Sequence, residues 1–265
     1  MQMYYQNNQR GGNMKALITG ASSGIGRDMA RYLAAKGCDL ILVARREDRI
    51  RELEKELKNV DIRCITLDVG RSEECFRLYE LTKDDGVDML INNAGFGLAG
   101  EYVRADLDTE LNMIDVNIKA VHILTKLFLR DFVARDRGII LNVASSAGFM
   151  AGPLLSTYYA TKNYVLRLTE AVYEELRRRK SHVRISALCP GPVNTEFNKV
   201  AQVKFAVSGI SSEYCAKVAI DGALQGKPVI IPGAMLKAGL FFRKFLSEKT
   251  MLKIAYNFQR RKNEQ

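Results

Sequence analysis

The sequence predicts an α/β fold, a doubly wound parallel β-sheet with helices on both faces. Three observations carry that prediction. Short apolar runs alternate with amphipathic helical stretches from Lys15 to Ile231, the pattern of a parallel sheet wound from βαβ units. The first run opens directly into a glycine-rich turn, Gly20-Ala-Ser-Ser-Gly24-Ile-Gly26. The side chains with most chemistry to offer fall at strand ends, the edge where ligands bind in such sheets.

With 265 residues, 47% hydrophobic and 26% charged, the chain suits one domain with a large core better than two small ones. Residues 1–13 are rich in Gln and Asn without an apolar run. They read as a disordered leader or expression remnant, with Met14 the expected natural start, and not as a secretory signal. The folded domain is expected over 14–233, followed by a basic helical extension over 234–265. Cys38, Cys64, Cys75, Cys189 and Cys215 have no paired spacing. They read as reduced thiols, which points to a cytoplasmic protein, in reach of a membrane surface at most. No segment approaches the roughly 20 apolar residues of a membrane span. Of the net charge of +10, the tail from Ala234 carries eight cations against Glu248 and Glu264. The body is near balance, so no nucleic-acid partner is expected.

In chain order, Lys15 to Thr19 (K-A-L-I-T) is a buried strand, and the helix after the turn runs to about Lys36. Strand, glycine turn and helix start form a phosphate cradle, because small residues let the backbone approach an anion and the first helical N–H groups are free. Gly20, Ser22, Ser23, Gly24, Ile25 and Gly26 are its expected contacts. The second strand, Asp39 to Ala44, ends in Arg45-Arg46. In dinucleotide folds an acidic residue there binds a ribose 2′-hydroxyl, and an Arg accommodates a 2′-phosphate. Asp39 lies at the wrong end, so Arg45 points to NADP(H). The plainer reading is that both arginines open a solvated helix reaching Lys58.

A third strand, Ile62 to Leu67, ends in Asp68-Val69. Asp68 could accept from an adenine amino group or cap the helix from Ser72 to Lys83, where Ser72 is the preferred cap. A fourth strand, Asp88 to Ile91, leads to Asn92-Asn93-Ala94-Gly95, amides suited to bracing strands and a backbone edge suited to a cofactor. One long helix is expected from Leu107 to Arg135, with Asn117 in its middle. Asn is a poor helix former, so Asn117 is read as a polar core residue or as a bend that holds a water. His122 and His182 lack metal-ligand spacing.

A strand from Gly138 to Ala144 ends at Ser145, and the next helix carries Tyr158 and Lys162. Four residues apart on a helix, these share one face. A phenol titrates near 10, and an ammonium beside it favours the phenolate. Tyr158, Lys162 and a Ser145 hydroxyl therefore make a proton-transfer site for a carbonyl or alcohol. A strand over Val183 to Leu188 runs into Cys189-Pro190-Gly191-Pro192-Val193-Asn194-Thr195, a turn that fixes backbone on the cofactor side. Residues 196–210 read as a mobile lid. A helix from Ser212 to Gln225 and a strand from Pro228 to Ile231 complete the sheet.

Together, T-G-A-S-S-G-I-G at Thr19 to Gly26, L-D-V at Leu67 to Val69, N-N-A-G at Asn92 to Gly95, Asn117, Ser145, Y-x-x-x-K at Tyr158 to Lys162 and P-G-P-V-N-T at Pro190 to Thr195 resemble the short-chain dehydrogenase/reductase family and its Rossmann-type sheet. The resemblance spans Met14 to Gly233. It implies hydride transfer between NADP(H) and a small-molecule carbonyl or alcohol, in the reductive direction. Tyr158 would be the general acid/base and Ser145 would orient the carbonyl. Lys162 would lower the Tyr158 pKa and hold the nicotinamide ribose, while Asn117 would anchor a water relaying protons to Lys162. Cofactor contacts would be Gly20, Ser22, Ser23, Gly24, Ile25, Gly26, Arg45, Asp68, Val69, Asn93, Ala94, Gly95, Pro190, Gly191, Val193 and Thr195, with Tyr158 and Lys162. A homodimer or homotetramer, joined through the helices bearing Asn117 and Tyr158, is the family expectation.

The body is most similar to 3-oxoacyl and steroid-type ketone reductases, with Phe96, Phe149, Leu154 and Phe205 as expected pocket walls. The competing reading is a non-catalytic NADP(H) binder, which would have no need of Asn117, Ser145, Tyr158 and Lys162 together. Beyond Gly233, Met251, Ile254, Ala255 and Phe258 form a helical stripe opposite Lys249, Lys253, Asn257 and Arg260. Such a helix can lie on an anionic membrane or dock an acidic partner. Packing of the stripe on the body or a neighbouring subunit is the preferred reading.

Overall fold

Seven short runs become strands: β1 (Lys15–Thr19), β2 (Asp39–Ala44), β3 (Ile62–Thr66), β4 (Met89–Asn92), β5 (Ile139–Val143), β6 (Arg184–Leu188) and β7 (Val229–Ile230). In the computed structural model, which describes residues 13–197, 209–243 and 245–263, they form one sheet ordered β3-β2-β1-β4-β5-β6-β7. Every neighbouring pair is parallel. The connecting helices are α1 (Gly24–Ala34), α2 (Glu47–Glu56), α3 (Ser72–Thr82), α4 (Leu107–Ile114), α5 (Val121–Ala134), α6 (Ser156–Arg178) and α7 (Ser212–Leu224). Two more, α8 (Ala234–Arg243) and α9 (Glu248–Asn263), form the tail.

Strand alternation sends successive residues of β1 to opposite faces. Ala16 and Ile18 pack with Met29, Leu33, Ala219 and Ile220 of α1 and α7. Leu17 joins Leu78, Leu124, Phe128 and Phe132 of α3 and α5 on the other face. Both faces are covered, which is why these strands read as continuous apolar runs. β1 pairs with β2 on one side and β4 on the other. The chain changes winding direction there, and a crevice opens beyond the C-terminal ends of β1 and β4.

The structure departs from expectation in three places. The single helix expected over Leu107 to Arg135 is α4 and α5 joined by a π-helical turn, Asp115–Ala120. Asn117 sits in that turn with its side chain tied inward, and π turns accommodate such insertions in a helix. Ser72 does not cap α3. Arg71 holds the N-cap position without a side-chain bond, and Asp68 Oδ1 instead accepts from the Gly70 N–H at 3.0 Å. The third concerns the tail, where a helix over Ala234–Arg243 precedes the stripe at 249–261. In the stripe itself Ala255 is buried but Ile254 is exposed, because the docked face is centred on Ala255 and Gln259. The expected lid falls mostly on residues 198–208, and Phe205 with it, outside the described residues.

Candidate active site

A cavity of about 620 Å³ opens at the C-terminal edge of the sheet. All the residues expected to act there line it except Gly26 and Asn117, which are absent from its wall. A Cβ at Gly26 would collide with the Asn93 amide and the Gly20 carbonyl. Gly20 has φ +67°, and a Cβ there would come within 2.8 Å of Ala94 Cα. Both positions therefore require glycine.

Asn93 stitches this turn to β4. Its Nδ2 donates to Thr19 O at 3.0 Å and Gly20 O at 3.1 Å, while Thr19 Oγ1 accepts from Asn93 N and Ala94 N at 3.0 and 3.2 Å. At the start of α1, Ser23 makes no side-chain cap, which leaves the first-turn N–H groups unclaimed by the N-cap side chain, and Gly24 and Ile25 line the cavity. Asn92, Asn142, Thr125 and Thr169 form a buried ladder across β4, β5 and the helices, the bracing expected of Asn92. The turn at Pro190 to Thr195 is pinned by pairing of Val193 with Ile210. Thr195 rests against Gly24.

Both arginines line the cavity. Arg45 is exposed, with its nearest charge partner Asp68 at 3.7 Å. Arg46 instead turns onto the phosphate cradle, donating to Ser22 Oγ at 3.0 Å and Ser23 Oγ at 2.9 Å. Glu196 bridges it, accepting from Arg46 at 3.1 Å and Arg49 at 2.6 Å. Hydrogen bonds from Arg49 and then Arg46 hold the Glu196 carboxyl below the usual range.

Tyr158 and Lys162 share a face of α6, as their spacing requires. Lys162 is buried; its Nζ donates to Val143 O at 2.9 Å and lies 5.9 Å from the Tyr158 ring centroid. Burial pushes the Lys162 ammonium down to about 8. Burial also pushes the Tyr158 phenol up to about 12, against the Ser145 hydroxyl, which pulls it down. Ser145 Oγ is oriented by the Ala147 N–H at 3.1 Å. Tyr158 is thus a neutral phenol near pH 7, held beside a hydroxyl and a buried amine. The phenol lies above its ordinary value here, and Lys162 is not among the causes of its shift.

Asn117 is fully buried and serves as a pin. Its Oδ1 accepts from Phe96 N at 3.1 Å, and its Nδ2 donates to Phe96 O at 2.9 Å and Thr161 Oγ1 at 3.0 Å. It fixes the Gly95–Phe96 edge against α6. Phe96 lines the cavity, whereas Phe149 and Leu154 do not; Leu155 and Phe197 take that place. Among the described residues no cluster of His, Cys, Asp and Glu could hold a metal.

Residues 14–223 match the short chain dehydrogenase family. The chain belongs to that family. It is 35% identical over 185 residues, 68% of this chain and 78% of the relative, to an uncharacterized oxidoreductase of Staphylococcus saprophyticus. It is 29% identical over 194 residues to the very-long-chain 3-oxoacyl-CoA reductase of Rattus norvegicus, covering 70% of this chain and 61% of that one. A short-chain dehydrogenase from Sphingobium yanoikuyae, solved in complex with NADPH, superposes with a TM-score of 0.80 at 28% identity over 90% of this chain and 95% of the other. This short-chain dehydrogenase is an oxidoreductase with the Rossmann-type sheet of its relatives.

Arg46, Glu196 and Gln259 are among the wall residues that the sequence did not announce. Arg46 was visible only as the second of two arginines, and nothing in the pair says which one turns inward. Glu196 looked like the start of an irregular segment. Gln259 lies on the tail helix, yet it lines the cavity; its only signal is its place four residues after Ala255.

Proposed function

We propose that this short-chain dehydrogenase is an NADPH-dependent ketone reductase acting on an apolar substrate, with Tyr158 as proton donor. Tyr158, Ser145 and Lys162 brought together in one cavity wall, with Tyr158 and Lys162 on one face of α6, carry the reading. A neutral phenol beside a hydroxyl can donate a proton to a substrate oxygen.

The cradle of Gly20, Gly24 and Gly26, the free N–H groups at α1 and the guanidinium of Arg46 fit a phosphorylated dinucleotide. Bound there, NADPH would supply the hydride. Ser145 Oγ holds the ketone oxygen by donating a hydrogen bond. Tyr158 donates the proton to that oxygen as negative charge develops on it. Lys162, one turn along α6, would offer its N–H groups to the nicotinamide ribose. Asn117 keeps the Phe96 edge and Thr161 in register with this group. The Asn117 side chain leaves only the second lone pair of Oδ1 for a water, since both amide N–H groups are used.

Phe96, Leu155 and Phe197 make the substrate wall apolar. With the rat relative a 3-oxoacyl-CoA reductase by name, a 3-oxoacyl thioester is the first substrate to offer. The assay is NADPH consumption followed by absorbance. Turnover supports the reading, and no turnover of any ketone while NADPH protects the fold against heat refutes it.

Two contacts accompany this activity. The tail presents Met235, Phe241, Phe242 and Phe245 to solvent, the last at 73% exposure, next to Lys237, Arg243 and Lys249. Exposed aromatics flanked by cations suit an anionic lipid surface. Leu107 and Leu111 of α4 and Tyr164 of α6 are also exposed, which supports pairing of two copies across these helices.

A further inference from the structure

The tail helix α9 delivers one side chain into the cavity wall. Gln259 is 4% exposed, and its Nε2 donates to Tyr159 Oη at 2.8 Å. Both residues line the cavity that holds Tyr158. Tyr159 is fixed in place, its ring edge-on to Tyr158 with centroids 6.1 Å apart and its face filling the space a side chain at Gly152 would need. One turn before Gln259 on the same face, Ala255 is buried, while Leu252, Ile254 and Tyr256 are exposed. The docked face of α9 therefore reaches the cavity with an amide, although hydrocarbon was available in the same helix.

A helix that only packed would do better with an apolar side chain at that position. A buried amide with an unused hydrogen-bonding end costs about 1–3 kcal/mol. Gln259 Oε1 is such an end: it is buried and has no hydrogen-bond partner among the described residues. Turning the amide over does not remove the defect. Oε1 would then accept from the Tyr159 hydroxyl, and the Nε2 donors would be left unpaired instead. In either orientation one end is orphaned beside Tyr159, in the wall of the substrate cavity. An orphaned buried polar group in a native structure calls for a partner, and the substrate is the group that enters this cavity.

We propose that Gln259 is a specificity-determining residue, whose amide pairs with a second polar group of the substrate, a hydroxyl or a carbonyl lying beyond the Tyr158 ring. The proposal rests on the ketone-reductase reading above. It narrows the substrate class from apolar ketones to apolar ketones carrying such a group, and it makes the tail part of the substrate site. Because the amide can turn, Gln259 serves a donor or an acceptor equally. A site that has placed a hydrogen-bonding group for its substrate discriminates against analogues that lack the partner.

The test uses the full chain with NADPH and two sets of matched ketones. One set is phenylalkyl methyl ketones of increasing chain length, each with and without a para hydroxyl. The other pairs 3-oxo esters with plain ketones of equal length. For each pair the ratio of kcat/KM, polar over plain, is compared between the unaltered enzyme and Gln259→Leu, with Gln259→Met as a second variant of similar length. Dividing one ratio by the other cancels the intrinsic reactivity of the ketones. The expected result is a ratio that falls about tenfold or more in both variants for at least one pair, the size of one hydrogen bond. Equal loss on both members of every pair would make Gln259 a docking residue only and overturn the proposal. An unaltered enzyme with no preference in any pair would also overturn it, while leaving the reductase reading intact. No NADPH consumption with any ketone would remove the reductase reading, and the proposal with it.

Discussion

Replacing Arg46 with alanine should separate NADPH from NADH, and the size of the effect follows from the contacts around its guanidinium. That group donates to Ser22 Oγ, Ser23 Oγ and Glu196 within 2.9 to 3.1 Å, at the mouth of the phosphate cradle. A 2′-phosphate arriving there would take over donors already aimed at oxygen. Two charge-assisted hydrogen bonds contribute about 1.5–3 kcal/mol each, but the Arg46 side chain is 42% exposed, so screening by water reduces the sum. A net of about 2–3 kcal/mol remains, a loss of roughly 30- to 150-fold in NADPH affinity. NADH, lacking the phosphate, should change by less than about threefold. Arg45→Ala should cost NADPH no more than about fivefold, since its side chain is 66% exposed and its nearest charge partner stands at 3.7 Å. Glu196→Gln should tighten NADPH, because the carboxylate now bridging Arg46 and Arg49 competes for the same guanidinium. Fluorescence titration of both cofactors at one fixed salt concentration reads all three variants. Equal weakening of NADPH and NADH by Arg46→Ala, or a larger loss from Arg45→Ala, would refute the reasoning.

Two further outcomes follow. Lys162→Met should raise the stability of the cofactor-free protein at neutral pH while abolishing turnover. Burial lowers the Lys162 pKa from 10.5 to about 8, so below pH 8 the folded state carries a penalty of about 3 kcal/mol. The lost bond to Val143 O offsets about 1 kcal/mol of the gain. As pH rises from 8 towards 10.5 the unfolded chain binds the extra proton and the penalty fades, so the gain in denaturant midpoint should shrink over that window. A gain independent of pH would contradict the burial argument. For the tail, vesicles of anionic lipid should co-sediment the protein at low salt and release it at high salt. Replacing Phe241, Phe242 and Phe245 with serine should abolish the binding, and unchanged sedimentation would exclude the lipid contact.

Much of the fold was legible because its signals are local. The strands follow from short apolar runs, and β2 matches its expected bounds. Gly20 and Gly26 announce a turn that no other residue could make, and Tyr158 and Lys162 declare a shared face by spacing alone. What was not legible depends on partners distant in sequence. The π-helical turn at Asn117 exists because its amide is drawn to Phe96 and Thr161, 21 and 44 residues away. Arg46 is drawn onto the cradle by serines 24 and 23 residues earlier and by Glu196, 150 residues later. Gln259 reaches Tyr159 across 100 residues, and periodicity in the tail can rank only apolar faces. Spacing also pointed to an ammonium that lowers the Tyr158 pKa. In the fold, burial of the phenol outweighs it, because Lys162 is itself desolvated and turned to Val143 O.

The central claim is that Tyr158 gives up a proton to the substrate oxygen. The most direct measurement is kcat for Tyr158→Phe with NADPH and a ketone that the unaltered enzyme reduces, with NADPH binding measured alongside. Loss of the hydroxyl should lower kcat at least roughly a hundredfold while NADPH still binds. A kcat within a factor of three of the unaltered enzyme would contradict the account.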